Sequence, residues 1–259
     1  MMVASKLLGL FSGSRQPVKS RACVPPDARV YAIGDVHGRL DLLIAMLDRI
    51  DADDAGRPPA DTTIVLLGDL VDRGPHSAQV IDHVIERDWH GRSVKVLQGN
   101  HEEVMLMALS GDLEAMRFWT RIGGGETMAS YGVPPELIER GNAQQLFDDF
   151  VARIPRSHCA LLYGTVDHVT IGDYAFVHAG IRPGIPLEKQ KVNDLRWIRG
   201  EFLDHEGDLG AVVVHGHTIT ETVEEYDNRI GIDTGAYATG RLTVLGLEGQ
   251  ERWYLSSGE

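Results

Sequence analysis

Three glycine-bracketed phrases hold most of the residues able to do chemistry: Gly34-Asp35-Val36-His37-Gly38, Gly68-Asp69-Leu70-Val71-Asp72-Arg73-Gly74 and Gly99-Asn100-His101-Glu102. Two later segments, His178-Ala179-Gly180 and His215-Gly216-His217, add histidines. Taken singly these are ordinary turn residues. Taken together, Asp35, His37, Asp69, Asn100, His178 and His217 make a mixed nitrogen and oxygen donor set large enough for two metal ions. Imidazole suits manganese, iron or zinc better than calcium or magnesium. Two metals can clamp the attacking and leaving oxygens of an in-line displacement at phosphorus and lower the pKa of a bound water toward about 7. That chemistry needs no protein nucleophile.

The competing thiol chemistry is weak. Cys23 precedes Arg29 at the spacing of a Cys-x5-Arg phosphate loop, but the intervening Val24-Pro25-Pro26-Asp27-Ala28 lacks prolyl N–H donors and carries an aspartate that repels phosphate. His158-Cys159 has no arginine at the required distance.

The metal-type residues need elements that bring them together, and the flanking sequence supplies them. Val30 to Ile33, Ile64 to Leu67 and Val94 to Leu97 are apolar runs that read as buried strands ending at the three phrases. Asp35, Asp69 and Asn100 lie 34 and 31 residues apart, about one βαβ unit each. Leu40, Leu43, Ile44 and Leu47 form one helical face, and Pro75 with Ser77 opens a helix to about Arg87. The expected order is βαβαβα, with the three turns side by side at strand ends, where ligands sit in open α/β sheets.

Residues 103 to about 160 break the alternation and read as a helical insertion covering one side of the site. Within it Gly123-Gly124-Gly125 reads as a hinge, with an anion-binding nest of backbone N–H groups as the less favoured alternative. Val169 to Ile171 and Tyr174 to Val177 flank a two-residue Gly172-Asp173 turn, a β-hairpin pattern. Ala211 to Val214 and runs near Ile230, Leu242 to Leu247 and Trp253 to Leu255 supply further strands.

The chain has 259 residues, 43% of them hydrophobic, enough for one large α/β core plus an insertion. Its net charge of -13 argues against nucleic acid as the main partner. Two cysteines make no disulfide framework, which favours a reducing, cytoplasmic setting. No stretch approaches the roughly 20 apolar residues of a membrane span. Residues 1–27 carry Lys6, Arg15, Lys19 and Arg21 and no acidic residue before Asp27, and read as a mobile basic arm ahead of a domain spanning 28–259.

In order and spacing, the five phrases resemble the metal-dependent phosphoprotein phosphatases of bacterial and phage type, over about residues 29 to 250. The resemblance implies a metallophosphoesterase-type four-layer α/β/β/α sandwich with a helical insertion. It implies that Asp35 and His37 bind one metal, Asp69 bridges both, and Asn100, His178 and His217 bind the other, with manganese the expected ion. Arg73 would grip phosphate oxygens in a two-pronged contact, and Asn100 would also face substrate. His101 would be the general acid, oriented by Asp72. A second phosphate-binding arginine is expected in Asp194 to Arg199: Arg199 is favoured and Arg196 is the fallback. His215 reads as a packing histidine, and Asp233 and Tyr237 as structural, with Tyr237 near the cleft.

The implied activity is hydrolysis of phosphoserine and phosphothreonine in proteins or phosphopeptides, by in-line attack of a hydroxide held between the metals and without a phosphoenzyme, in a chain expected to be monomeric. The alternative is hydrolysis of dinucleoside polyphosphates such as diadenosine tetraphosphate, against which His37 counts because glutamine is typical there. Phosphodiesterase and catalytically silent scaffold readings rank lower.

Overall fold

The computed structural model describes residues 22–258. Two five-stranded mixed sheets form its centre. The first contains β1 (Ala28–Ile33), β2 (Asp61–Leu66), β3 (Ser93–Val96), β9 (Thr243–Glu248) and β10 (Glu251–Ser256), in the order β10-β9-β1-β2-β3. The second contains β4 (His168–Ile171), β5 (Tyr174–Val177), β6 (Val212–His215), β7 (Glu224–Glu225) and β8 (Arg229–Gly231), in the order β4-β5-β6-β8-β7. β1, β2 and β3 run parallel, as do β5, β6 and β8. Each parallel set therefore delivers its carboxyl ends to one edge of its sheet.

Strand alternation explains the layering. Val30, Ala32, Val65 and Leu67 face inward and pack on Tyr174, Phe176, Val214 and Ile232 of the second sheet. Their neighbours Tyr31, Ile33, Ile64 and Leu66 face the other way, onto helices α1 (Leu40–Ala55) and α2 (Ser77–Glu86) through Leu43, Met46, Leu47, Val80 and Val84. On the far side, Val177 and Val213 pack on Leu195, Ile198 and Phe202 from α9 (Val192–Trp197), α10 (Gly200–Leu203) and the link between them. The result is the four-layer α/β/β/α sandwich expected from the sequence. Each fully buried Leu, Ile, Val or Phe contributes about 1.5–3 kcal/mol.

The insertion runs through α3 (Asn100–Leu109), α4 (Leu113–Trp119), a π-helical turn (Thr120–Gly124), α5 (Gly125–Ser130), α6 (Pro135–Arg140), α7 (Ala143–Arg153) and α8 (Arg156–Tyr163). Met105, Met116, Trp119, Met128, Phe150 and Leu162 are fully buried among these helices, in a cluster that also takes in Val71 and Ile81. A last short helix, α11 (Ala236–Thr239), precedes β9.

One sequence expectation changes and one gains detail. Residues 1–21 of the expected arm lie outside the described residues. Residues 22–27 are packed, because Val24 is buried, its N–H donates to Gly249 O (2.9 Å) and the Cys23 N–H donates to Asp173 Oδ2 (2.9 Å). The triple glycine, read as a hinge, sits at a kink in the helical run and is held there against the site loop. Gly123 has φ 119° inside the π turn and its carbonyl accepts the Arg73 N–H at 3.1 Å, so it is a point of close approach to the Asp69–Arg73 loop. Among the described residues no helix is long and apolar enough to cross a membrane.

Candidate active site

The ends of β1, β2, β5 and β6 and the start of α3 deliver Asp35, His37, Asp69, Asn100, His101, His178 and His217 to one buried place. The turns that carry them are strained. Of the seven non-glycine residues with positive φ among the described residues, five are His37, Asp69, Asp72, Arg73 and His217. Such conformations cost on the order of 1–3 kcal/mol each and persist only where surrounding structure enforces them.

One enforcing group is Glu102, which the sequence reading gave no role in the site. Fully buried, it accepts from the main-chain N–H groups of Gly99 (2.9 Å), Asp69 (2.8 Å), Leu70 (2.7 Å) and Val71 (3.3 Å). It staples the second phrase to the third. Burial, joined by the charge of Asp69, pushes its pKa up to about 7 against the pull of those donors. The available signal was its place three residues into a helix after Gly99, where a glutamate reaches back to free N–H groups.

The predicted ligands do converge. Asp69 Oδ2 lies 3.5 Å from His37 Nε2 and 3.5 Å from His178 Nε2. Two groups share it, His37/Asp69/His101 and Asp69/His178/His217, each with ligand atoms within 4.8 Å of one another. His101 thus stands with the first group, although the sequence assigns it a proton rather than a metal. Asp35 completes the place from below: its Oδ2 accepts the His217 N–H at 3.0 Å, and its Oδ1 is buried without a partner. A Cβ at Gly216 would come within 2.0 Å of that Oδ1, so only glycine lets β6 close over Asp35.

The donor chemistry fits divalent cations. His178 Nδ1–H donates to Leu67 O (2.9 Å), which leaves Nε2 as a lone pair 3.0 Å from the Asn100 carbonyl oxygen. His217 Nδ1 lies 2.8 Å from the same Asn100 oxygen, so Asp69, His178, His217 and Asn100 crowd one another, and His217 Nε2 is buried and unpartnered. Burial, with the charges of Asp233 and Asp69, drives the Asp35 pKa well above the carboxylate range. Burial likewise lowers His37 to about 3. A pair of cations would relieve the crowding of the carboxylates and take the neutral imidazoles as ligands. Asp69, between the two groups, is the residue able to serve both.

Arg73 reaches across the front. Its Nη1 donates to His37 Nε2 (2.9 Å) and its Nη2 to His101 Nε2 (3.0 Å), with the guanidinium over the Tyr237 ring at 4.7 Å. Those contacts fix the tautomers: His37 Nδ1–H donates to Val71 O (2.8 Å) and His101 Nδ1–H to Asp72 Oδ2 (2.6 Å). Burial works against charge on His101, but Asp69 and Asp72 outweigh it and raise its pKa.

The two candidate arginines, Arg196 within α9 and Arg199 just after it, separate clearly. Arg196 is tied into ion pairs with Glu103 (2.8 Å) and Asp167 (2.5 Å) and also bonds Gln98. Arg199 is exposed, and its Nη1 donates to Thr218 Oγ1 (3.1 Å) beside His217. His215 packs edge-on against Phe202, 5.0 Å between ring centres, away from the ligand set. Asp233 is buried, its pKa raised by burial to about 6, and Tyr237 stands at the mouth, edge-on to His37 at 5.3 Å.

Comparison with known proteins agrees with this geometry. Residues 28–237 match the profile of the calcineurin-like phosphoesterases. The chain is 30% identical to the asymmetrical bis(5'-nucleosyl)-tetraphosphatase PrpE of Anoxybacillus flavithermus, over 82% of this chain and 88% of that protein. It is 29% identical to the zinc-dependent endopolyphosphatase of Saccharomyces cerevisiae, over 82% of this chain and 74% of that one. Among solved structures, a protein assigned as a diadenosine tetraphosphatase superposes with a TM-score of 0.59 at 19% identity, covering 91% of this chain and 98% of its own; at that identity the likeness is one of fold. Two mixed sheets between helices, a ligand set at their carboxyl edges and the matching profile place the chain in the calcineurin-like phosphoesterase family, as a metallophosphoesterase hydrolase.

Proposed function

We propose that the chain hydrolyses dinucleoside polyphosphates. The observation that carries this reading is the alignment with the A. flavithermus tetraphosphatase across 88% of that enzyme's length. His37 stands where glutamine is typical of dinucleoside-polyphosphate hydrolases, which counts toward phosphoproteins on sequence alone. His37 is only 1% exposed, faces Asp69 and donates to Val71 O, so it meets the metal place and not the substrate's outer groups. It carries little information about which phosphoester is bound.

Asp35 and His37 would hold one divalent cation, Asn100, His178 and His217 the other, with Asp69 between them. When bound, the two cations would supply an activated water and neutralise charge at phosphorus. Manganese, iron and zinc all suit the donor set. Arg73 grips the phosphoryl oxygens after leaving the two imidazoles it now spans, and Arg199 meets further phosphates from the opposite rim. Asn100 adds a side-chain amide N–H toward the substrate. His101, as imidazolium on Asp72, donates the Nε2 proton to the departing oxygen.

That last contact favours a second reading, hydrolysis of phosphoserine and phosphothreonine. A nucleotide phosphate leaves as a weak base, its second pKa near about 6. A serine or threonine alkoxide is far more basic and gains much more from a proton donor, so the buried Asp72–His101 pair suits the alkyl ester. Turnover of diadenosine tetraphosphate and a phosphothreonine peptide with added Mn²⁺ separates the two. Peptide turnover far above dinucleotide turnover overturns the first reading in favour of the second.

A further inference from the structure

The helical insertion has a role in this site that neither the ligand set nor the family comparison assigns. Asp72 is fully buried, and its carboxylate receives three donors besides its own turn: His101 Nδ1 (2.6 Å), Thr127 Oγ1 (2.7 Å) and Trp119 Nε1, 2.9 Å from both carboxylate oxygens. Thr127 closes a ring. Its Oγ1 also accepts the Asp72 main-chain N–H at 2.8 Å, so one side chain holds both ends of the same residue.

The turn so held is under strain, with Asp72 at φ 73° and Arg73 at φ 67°. Gly123, between Trp119 and Thr127, presses on it directly: its carbonyl accepts the Arg73 N–H, and a Cβ there would stand 2.8 Å from Arg73 Cγ. Two indole and hydroxyl donors directed at one buried carboxylate are more than packing requires. Trp119 is fully buried, and an isosteric apolar ring would fill its space without burying an N–H.

We propose that Trp119 and Thr127 are positioning residues for proton donation: they lock the Asp72 carboxylate in the plane that aims His101 Nε2 at the leaving oxygen. The insertion is then part of the catalytic apparatus and not only a cover. The chemistry is orientational. With two other donors occupying it, the carboxylate cannot rotate away from His101, and the strained turn cannot relax and withdraw the pair. Misplacement of a catalytic group by about 1 Å costs on the order of 100-fold in rate.

This inference rests on His101 being the proton donor, and the test separates the two. Thr127→Val keeps volume and removes the hydroxyl, whereas Trp119→Phe removes the indole N–H together with part of a buried ring, so Thr127→Val carries the test and Thr127→Ser restores the hydroxyl. The Mn²⁺-loaded enzyme is assayed on p-nitrophenyl phosphate, whose leaving group needs little protonation, and on an alkyl phosphate, which needs much, beside His101→Asn. The expected result is a kcat loss on the order of 10- to 100-fold on the alkyl ester for Thr127→Val and Trp119→Phe. On the aryl ester the loss is several times smaller, Thr127→Ser is near wild type, and metal content by elemental analysis is unchanged. If His101→Asn discriminates between the esters and Thr127→Val does not, the positioning role is overturned while the donor stands. Equal losses for His101→Asn on both esters overturn both.

Discussion

At the amino end of β1 and β2, Arg29 is 1% exposed and every guanidinium nitrogen has an acceptor: Nε donates to Glu248 Oε2 (2.9 Å), Nη1 to Asp54 Oδ1 (2.6 Å) and Nη2 to Pro58 O (2.7 Å). Asp54 also receives Thr62 Oγ1 (2.9 Å) and Arg92 Nε (3.0 Å). At the carboxyl end of the same strands, Asp35 and Asp69 stand among lone pairs, with Asp35 Oδ1 and His217 Nε2 buried and unpartnered. Both ends bury charge. Only the first answers each charge within the chain, and the difference teaches where to look for a ligand: a buried polar group without a partner costs several kcal/mol unless something outside the chain meets it. Burial opposes the charge on Arg29, yet Glu248 and Asp54 outweigh it and raise its pKa, whereas burial, joined by the charges of Asp233 and Asp69, raises that of Asp35.

The sharpest break in this comparison is at Asp69. Asp69→Asn removes the carboxylate proposed to serve both metals, so both should weaken together and turnover should fall to background. The loss exceeds the about 10- to 100-fold in affinity typical of removing a supporting partner. Elemental analysis after dialysis against Mn²⁺ checks this, and a variant that retains two ions per chain contradicts the bridging role. Next in size is His101→Asn, expected to cost about 10²–10⁴ in kcat on alkyl phosphates and clearly less on aryl phosphates. Steady-state kinetics on the two ester classes decides, with equal losses refuting proton donation.

At the paired end the effect moves from rate to stability. Arg29→Met leaves Asp54 and Glu248 without their buried partner and should cost about 3 kcal/mol, the low end for breaking a buried pair. The kcat of the folded, metal-loaded enzyme should not change. Urea unfolding with parallel assays reads both quantities, and a kcat loss at constant metal content would mean that the two ends of the sheet are coupled.

The carboxyl-end residues were the legible ones. Asp35, His37, Asp69, Asn100, His178 and His217 each follow an apolar run, and the spacing of Asp35, Asp69 and Asn100 matches the βαβ unit that sets those three turns side by side. The paired end was not legible, because Arg29, Asp54, Arg92 and Glu248 belong to four separate segments with no shared spacing, joined only by tertiary packing. Trp119 and Thr127 were hidden for the same reason: helical periodicity accounts for both as core positions. Nothing local reveals that an indole N–H ends on a carboxylate 47 residues away. The composition of the triple glycine speaks only of freedom and does not reveal that Gly123 is held against Arg73. Residues 22–27, Ala-Cys-Val-Pro-Pro-Asp, show no periodic pattern in sequence, and only contact with Asp173 and Gly249 reveals that they are packed.

The smallest expected effect is the share of the acid dependence of stability that the paired end contributes. Burial works to raise the Asp54 pKa, but its bonds to Arg29 and Thr62 and the charge of Arg92 prevail and hold it below the ordinary 3.8. Asp53, buried in part but bonded to Tyr31, Arg57 and Trp253, is likewise held below it. A carboxylate with a depressed folded pKa releases its proton more readily in the folded chain than in the unfolded one. Its contribution to stability is therefore complete above the unfolded value and is lost as pH falls through the folded value. Unfolding free energy should decline from about pH 4 downward. Arg29→Met should flatten that decline, since without its partner Asp54 returns toward its ordinary value and the folded and unfolded states bind protons more equally. Urea titrations at a series of acidic pH values, on wild type and Arg29→Met, measure the slope. An acid limb of the same steepness in both proteins would mean that Arg29 does not hold Asp54 ionised.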